Sequence, residues 1–190
     1  MSVQSRRERE RAERHQLIIT TARELAEAEG WDAVTTRRLS ELIEYSQPVL
    51  YSHFAGKDAI VAAVAMEGFT ELATELGRHR GLEPVVRAYV DFAETNPALY
   101  DAMFTLAVPL AFAQEETPQP LKDGFAAIQK VLEPLAGHRD LGLLTEVVWS
   151  AIHGQVTLTR GGRLPKHAQR QRLAMLVDQI QAGGHPGVLA

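Results

Sequence analysis

Cysteine is absent from all 190 residues, which rules out a disulfide framework, thiolate metal sites and a cysteine nucleophile. No apolar run approaches the roughly 20 residues that a membrane-crossing helix needs. Arg6, Glu8, Arg9 and Glu10 stand where a secretory signal would carry its apolar core, so a cytoplasmic location without membrane association is expected. A basic excess is missing as well: 20 Lys and Arg face 24 Asp and Glu, for a net charge of -4. Residues 1–58 hold nine Lys/Arg against ten Asp/Glu, so any attraction for a polyanion must come from a few cations on one face.

Catalytic signatures are missing too. There is no G-x-S-x-G elbow, no phosphate-binding P-loop and no dinucleotide fingerprint. The seven histidines show no paired spacing such as H-E-x-x-H, and the carboxylates Glu115 and Glu116 beside Pro118 have no partner base. The expectation is a protein that is not an enzyme, with no metal and no cofactor.

What remains is 45% hydrophobic and 23% charged, an ordinary composition for a folded domain, and its apolar residues recur with the helical period. Leu17, Ile18, Ala22, Leu25 and Ala26 form one stripe of a first helix, about 5–29, stopped by Gly30. Its opening turns alternate Arg and Glu, which suits either a basic arm or a solvated, salt-bridged surface. Thr35 or Thr36 can cap a short second helix with Leu39, Leu42 and Ile43 inward, and Ser46 can cap a third, where Pro48 sits harmlessly near the first turn. A long fourth helix runs from Lys57 to about Gly77. Prolines and glycines then mark helices at about 83–95, 97–113, 118–136, 140–160 and 165–182, with 184–190 as a loose tail. No segment alternates as a strand would, so the fold class is all-α.

Residues 35–57, TTRRLSELIEYSQPVLYSHFAGK, read as a short helix, a tight break, a second short helix and a lysine-bearing loop. Such a pair lays its second helix in the major groove of DNA while the first braces against the backbone. Gln47 can bond adenine through paired contacts, Pro48 and Val49 can meet a thymine methyl, and Arg37 can reach guanine with its fork. Thr36, Tyr51, His53 and Lys57 are spaced to touch phosphates, which fix register without reading sequence. Leu50 and Phe54 are the expected buried anchors.

Together with Gly30, this segment resembles the DNA-binding domain of TetR-family regulators over about residues 15–62. The resemblance implies Arg37, Gln47, Pro48 and Val49 as base contacts, with Thr36, Tyr51, His53 and Lys57 on the backbone. One departure stands out: the family carries Gly-Val-Ser or similar at the turn, whereas this chain has Glu44-Tyr45-Ser46. A glycine there relaxes the backbone, so Glu44 implies either a different turn or strain.

The family's second domain is a helical bundle that dimerises and holds an effector. Trp149, His153 and Gly154 resemble a Trp-x-x-x-His-Gly feature of one subgroup, followed by a Gly-Arg like Gly162-Arg163. Candidate cavity residues for an apolar or aromatic small molecule are Met66, Phe69, Phe92, Met103, Phe104, Phe112, Trp149 and His153. The same side chains are plain core if no cavity exists, and His153 can equally satisfy a buried carbonyl. Residues 140–160 are apolar on more than one face, and the last helix has a stripe at i, i+3, i+4 and i+7. Val148, Ile152, Val156, Leu173, Leu176, Val177 and Ile180 are therefore candidates for a four-helix dimer interface, or else for a crowded monomer core. Arg160 to Arg172, basic throughout, reads as a solvated helix start.

The expected organisation is a three-helix helix-turn-helix domain at 1–56, an effector-binding and dimerisation domain at 57–183 and a flexible tail at 184–190. What the resemblance implies is a homodimeric repressor that binds a palindromic operator in double-stranded DNA and leaves it on binding an effector. The competing reading is a helical ligand-binding or interaction module with a vestigial helix-turn-helix.

Overall fold

The computed structural model describes residues 3–107, 110–111 and 114–183. Among these every regular element is helical: α1 (Val3–Glu29), α2 (Thr36–Leu42), α3 (Gln47–Tyr51), α4 (Lys57–Gly77), α5 (Leu82–Thr95), α6 (Pro97–Phe104), α7 (Gln119–Leu132), α8 (Leu141–Arg160) and α9 (Gln169–Ala182). Single 3₁₀ turns at Glu133–Leu135 and Lys166–Ala168 end α7 and lead into α9. The tail at 184–190 and Phe112 lie outside the described residues. No described helix is long and apolar enough to cross a membrane.

The chain folds as two compact units, Met1–Phe69 with Asn96–Glu116, and Thr70–Thr95 with Thr117–Ala190. The first unit therefore reaches past residue 56, taking in the first part of α4 and all of α6. Its centre is apolar: Ile18, Ala22, Val34, Leu39, Leu50, Ile60, Val64 and Leu99 are wholly removed from solvent. Gly30, at φ +84, ends α1 in the left-handed conformation that glycine adopts without a Cβ penalty. The chain then folds back so that the Trp31 indole donates to the Ala98 carbonyl at 2.7 Å.

Three contacts hold α6 on α1. The Glu27 carboxylate accepts from the backbone N–H groups of Ala98 and Leu99, at 3.0 and 2.9 Å. These are free donors of the first turn of α6, so Glu27 supplies the cap that Asn96, whose side chain makes no cap bond, does not. Arg23 adds a bond to the Asn96 side-chain oxygen at 3.1 Å. Further along, α6 lies close against α4, because a Cβ at Gly68 would stand 2.7 Å from the Met103 sulfur and 2.8 Å from Leu99 Cδ1.

Helix α6 is shorter than the 97–113 expected from sequence. It ends at Phe104, where the N–H groups of Thr105 and Leu106 both turn to the Asp101 carbonyl at 2.9 Å. Pro109, a few residues on, has no N–H with which to continue a helix.

In the second unit α5 packs with α7, α8 and α9. Val85, Tyr89, Ile128, Leu132, Val148, Ile152 and Val156 fill that core. Asp140 caps α8, its side chain accepting from Leu143 N at 2.8 Å.

Candidate nucleic-acid interface

The helix-turn-helix begins with a capped helix: Thr35 Oγ1 accepts from Arg38 N at 3.1 Å. Ser46 occupies the corresponding position before α3, but its side chain makes no cap bond. Between the two helices the C-terminus of α2 closes with two backbone bonds, Tyr45 N to Ser40 O at 3.0 Å and Glu44 N to Glu41 O at 3.4 Å. This is the Schellman closure, and it requires the residue after the C-cap to be left-handed. That residue is Glu44, at φ 57, the one non-glycine with positive φ among the described residues. Of the two alternatives open at this turn, the structure has the strained one.

Helix α3 has a buried and an exposed side. Leu50 is fully buried and Phe54 is 5% exposed, the anchors anticipated from sequence. Gln47 and Pro48 are exposed, and Val49 is half-buried. Tyr51 is 52% exposed, with its hydroxyl 3.4 Å from Thr36 Oγ1. The side chain of Arg37 is also exposed, with its Nε held by Glu41 Oε1 at 3.0 Å, one turn along α2. Most of these polar groups thus stand in solvent, and the α2–α3 contact brings Thr36 and Tyr51 together.

Two expected phosphate contacts have neighbours that the sequence did not announce. Lys57 reaches back so that its ammonium donates to the Trp31 carbonyl at 2.5 Å. His53, half-buried, lies beside His15 of α1, with ring centroids 6.0 Å apart, and the His15 ring stacks on Phe54 at 4.3 Å. Partial burial, followed by the charges of His15, Arg11 and Arg14, holds the His53 imidazole below its ordinary range. Arg38 pairs with Glu29 at the end of α1.

The expected effector residues divide between the units. Met66, Phe69, Met103 and Phe104 belong to the first, where Phe69 and Phe104 meet edge-on at 5.2 Å and Met103 is buried. Phe92, Trp149 and His153 belong to the second. There Trp149 Nε1 donates to the Tyr89 hydroxyl at 3.2 Å, and that hydroxyl lies 3.5 Å from His153 Nδ1. Thr157 Oγ1 is 3.4 Å from His153 Nε2. Tyr89, which no sequence motif marks, joins this polar cluster. Burial alone lowers the His153 pKa.

The residues expected at a dimer face lie mostly inside the single chain. Val148, Ile152, Val156, Leu173, Val177 and Ile180 are each less than 10% exposed in the single chain, because these sides of α8 and α9 pack inside their own unit. Only Leu176 is half-exposed. The large apolar side chains that α8 and α9 leave in solvent are Leu143, Val147, Leu158 and Met175.

A short capped helix, a closed turn and a second short helix with polar tips outward define the helix-turn-helix class of protein. Residues 82–180 match the family profile described as the tetracyclin repressor-like C-terminal domain, and residues 18–64 match that of bacterial regulatory proteins of the tetR family. The chain belongs to the TetR family, whose members are transcriptional regulators and not enzymes. It is 36% identical over 93 residues to YobS of Bacillus subtilis (strain 168), an uncharacterised HTH-type transcriptional regulator, covering 45% of this chain and 49% of that protein. It therefore spans about half the length of YobS. To the class A tetracycline repressor from transposon 1721 of Escherichia coli it is 28% identical over 148 residues, 66% of this chain and 68% of that one. Among solved structures, a Rhodococcus sp. RHA1 protein of unknown function superposes with a TM-score of 0.70 at 22% identity, over 89% of this chain and 94% of that one. PfmR of Thermus thermophilus, a TetR-family transcriptional regulator, superposes with a TM-score of 0.55 at 18% identity, over 89% and 99%. Both structural likenesses are likenesses of fold.

Proposed function

We propose that this protein is an operator-binding repressor that acts as a homodimer in the cytoplasm and is released from DNA by a small apolar or aromatic effector. The observation that carries the DNA-binding part is the division of α3 and the residues just after it: Leu50 and Phe54 are buried while Gln47, Pro48 and Tyr51 stand outward. A helix anchored on one side and polar on the other can enter a major groove without unfolding anything. In this reading residues 1–56 contain the reading head and 57–183 the effector and dimer functions. Arg37, Gln47, Pro48 and Val49 meet base edges, and Thr36, Tyr51, His53 and Lys57 meet phosphates. Lys57 has one of its three donors on Trp31, which leaves others for a phosphate.

Two copies related by a two-fold axis would read half-sites about 34–36 Å apart. The exposed apolar residues Leu143, Val147 and Leu158 of α8 and Met175 of α9 offer the surface for that pairing. Within the second unit, effector recognition falls to Phe92, Trp149 and His153, with the Tyr89 hydroxyl, Trp149 Nε1 and His153 Nδ1 as its polar groups.

The test is fluorescence anisotropy with a duplex taken from upstream of the protein's own gene. The intact chain should bind with an affinity that falls steeply with salt. Arg37→Ala should cost about 1–3 kcal/mol and relax base preference at one position. Absence of binding at low salt, or a loss on Arg37→Ala equal on every sequence, would overturn the assignment.

A further inference from the structure

We propose that Arg11, Arg14 and His15 of α1 join His53 at the end of α3 as a seat for one DNA phosphate, filled with uptake of a proton on His53. The proposal rests on the DNA-binding reading above and adds to it three residues of α1 and a regulation by pH.

Helix α1 runs past the end of α3 so that the His15 ring is stacked on Phe54 and 6.0 Å from His53. Phe54 is core, so the stack seats the His15 ring against a buried side chain. Arg14 is one residue before His15, and Arg11 one turn before that. Both are exposed. Arg11 has no ion-pair partner among the described residues, and Arg14 has only a long contact of 4.0 Å to Glu10. Glu10 makes its shorter contact, 3.0 Å, with Arg6. The hydroxyls of Thr36 on α2 and Tyr51 on α3 lie 3.4 Å apart.

Such a cluster is poorly satisfied by the protein alone. The groups whose charge reaches His53 are His15, Arg11 and Arg14, and Glu10, which touches Arg14 at 4.0 Å, makes its closer bond to Arg6. Together with partial burial they disfavour a proton on His53. A phosphodiester placed among them reverses the balance. Its negative charge offsets the arginines, its oxygens accept from both guanidinium and imidazolium, and the protonated form of His53 becomes the better partner. By linkage, a group whose pKa rises on binding takes up a proton when the ligand arrives. Affinity must then increase as pH falls from the bound-state pKa towards the free-state pKa, and be flat outside that window. Each unit of pKa displacement allows about a tenfold change per seat.

The experiment uses the full chain and a mixed-sequence duplex, because a phosphate is read without regard to base sequence. Isothermal titration calorimetry at about pH 7, in low-salt buffers of different ionisation enthalpy, counts the protons exchanged. The intact protein should take up protons on binding and bind more tightly at lower pH. His53→Gln should bind without that uptake. The Arg11→Gln, Arg14→Gln double variant should bind more weakly and with a shallower salt dependence. Binding by the intact chain with no proton uptake overturns the proposal, as does uptake that persists in His53→Gln or an arginine variant with unaltered affinity and salt slope. An intact chain that binds no duplex at any pH sinks the DNA-binding reading itself, and this inference falls with it.

Discussion

Replacing Glu44 by glycine should make the protein more stable, and the size of the gain follows from the turn. Glu44 sits at the one position of the Schellman closure that has to be left-handed, with φ 57. An L-residue with a Cβ pays about 1–2 kcal/mol for that conformation. Glycine avoids this cost but surrenders more freedom on folding, worth about 0.5–1 kcal/mol. The difference favours Glu44→Gly by about 0.5–1 kcal/mol, or a rise in Tm of about 1–4 °C for a chain of this length.

A second variant separates backbone from charge. Glu44→Ala removes the carboxylate but keeps the Cβ, so its stability should stay within about 0.5 kcal/mol of the parent. If a negative charge at the turn hinders an approaching phosphate backbone, both variants should bind DNA more tightly, and by similar factors. Urea denaturation followed by far-UV circular dichroism measures the first effect, and anisotropy at fixed salt the second. Equal stabilisation by Ala and Gly would refute the strain argument, since alanine gains nothing at positive φ. Destabilisation by Gly would refute it more directly.

Gly68→Ala should destabilise the first unit by about 1–3 kcal/mol, read from the denaturant midpoint, because the new Cβ lands 2.7 Å from the Met103 sulfur and 2.8 Å from Leu99 Cδ1, buried side chains that would have to shift. Val147→Lys should yield a folded monomer by sedimentation, whereas Val148→Lys, at a site 1% exposed, should unfold the chain. A folded Val148→Lys monomer alongside a Val147→Lys dimer would reverse the assignment of faces. For His153 the sign follows from burial, which lowers its pKa below the ordinary 6.5. The unfolded chain then binds the proton more readily, so stability is retained above about 6.5 and lost as pH falls below it. His153→Gln should flatten part of that acid-side loss, and an unchanged pH profile of Tm would contradict it.

Much of this fold can be read from sequence because its elements are long and punctuated. Gly30 and the stripe from Leu17 to Ala26 mark α1 within two or three residues, and Thr35 takes the cap position that its side chain suits. The orientation of α8 could not be read in the same way. Its apolar residues cover more than one face, and Val147 and Val148 are neighbours of identical chemistry, one 66% exposed and the other 1%. Only the packing of α5, α7 and α9 decides between them. Sequence spacing also says nothing about His15 and His53, which are 38 positions apart and meet only because α1 passes the end of α3. The cluster is legible once the helices are placed, and not before.

Glu27 is the residue whose role was least visible, and it bears most on how the reading head could be moved. In sequence it is one more acid on a helix rich in them; in the structure it accepts two N–H bonds from the start of α6, some seventy residues away. With Trp31 on the Ala98 carbonyl and Arg23 on Asn96, α6 is tied to α1 by hydrogen bonds and not by apolar contact alone. Apolar surfaces slide past one another at little cost, whereas a carboxylate bonded to two amides loses both bonds on a shift of about an ångström. Hydrogen bonds to a charged group contribute about 1.5–3 kcal/mol each. Coupling free energies between regulatory sites are typically about 1–3 kcal/mol. The attachment is therefore strong enough that a displaced α6 would carry α1, and the helices packed on it, rather than slip free of them.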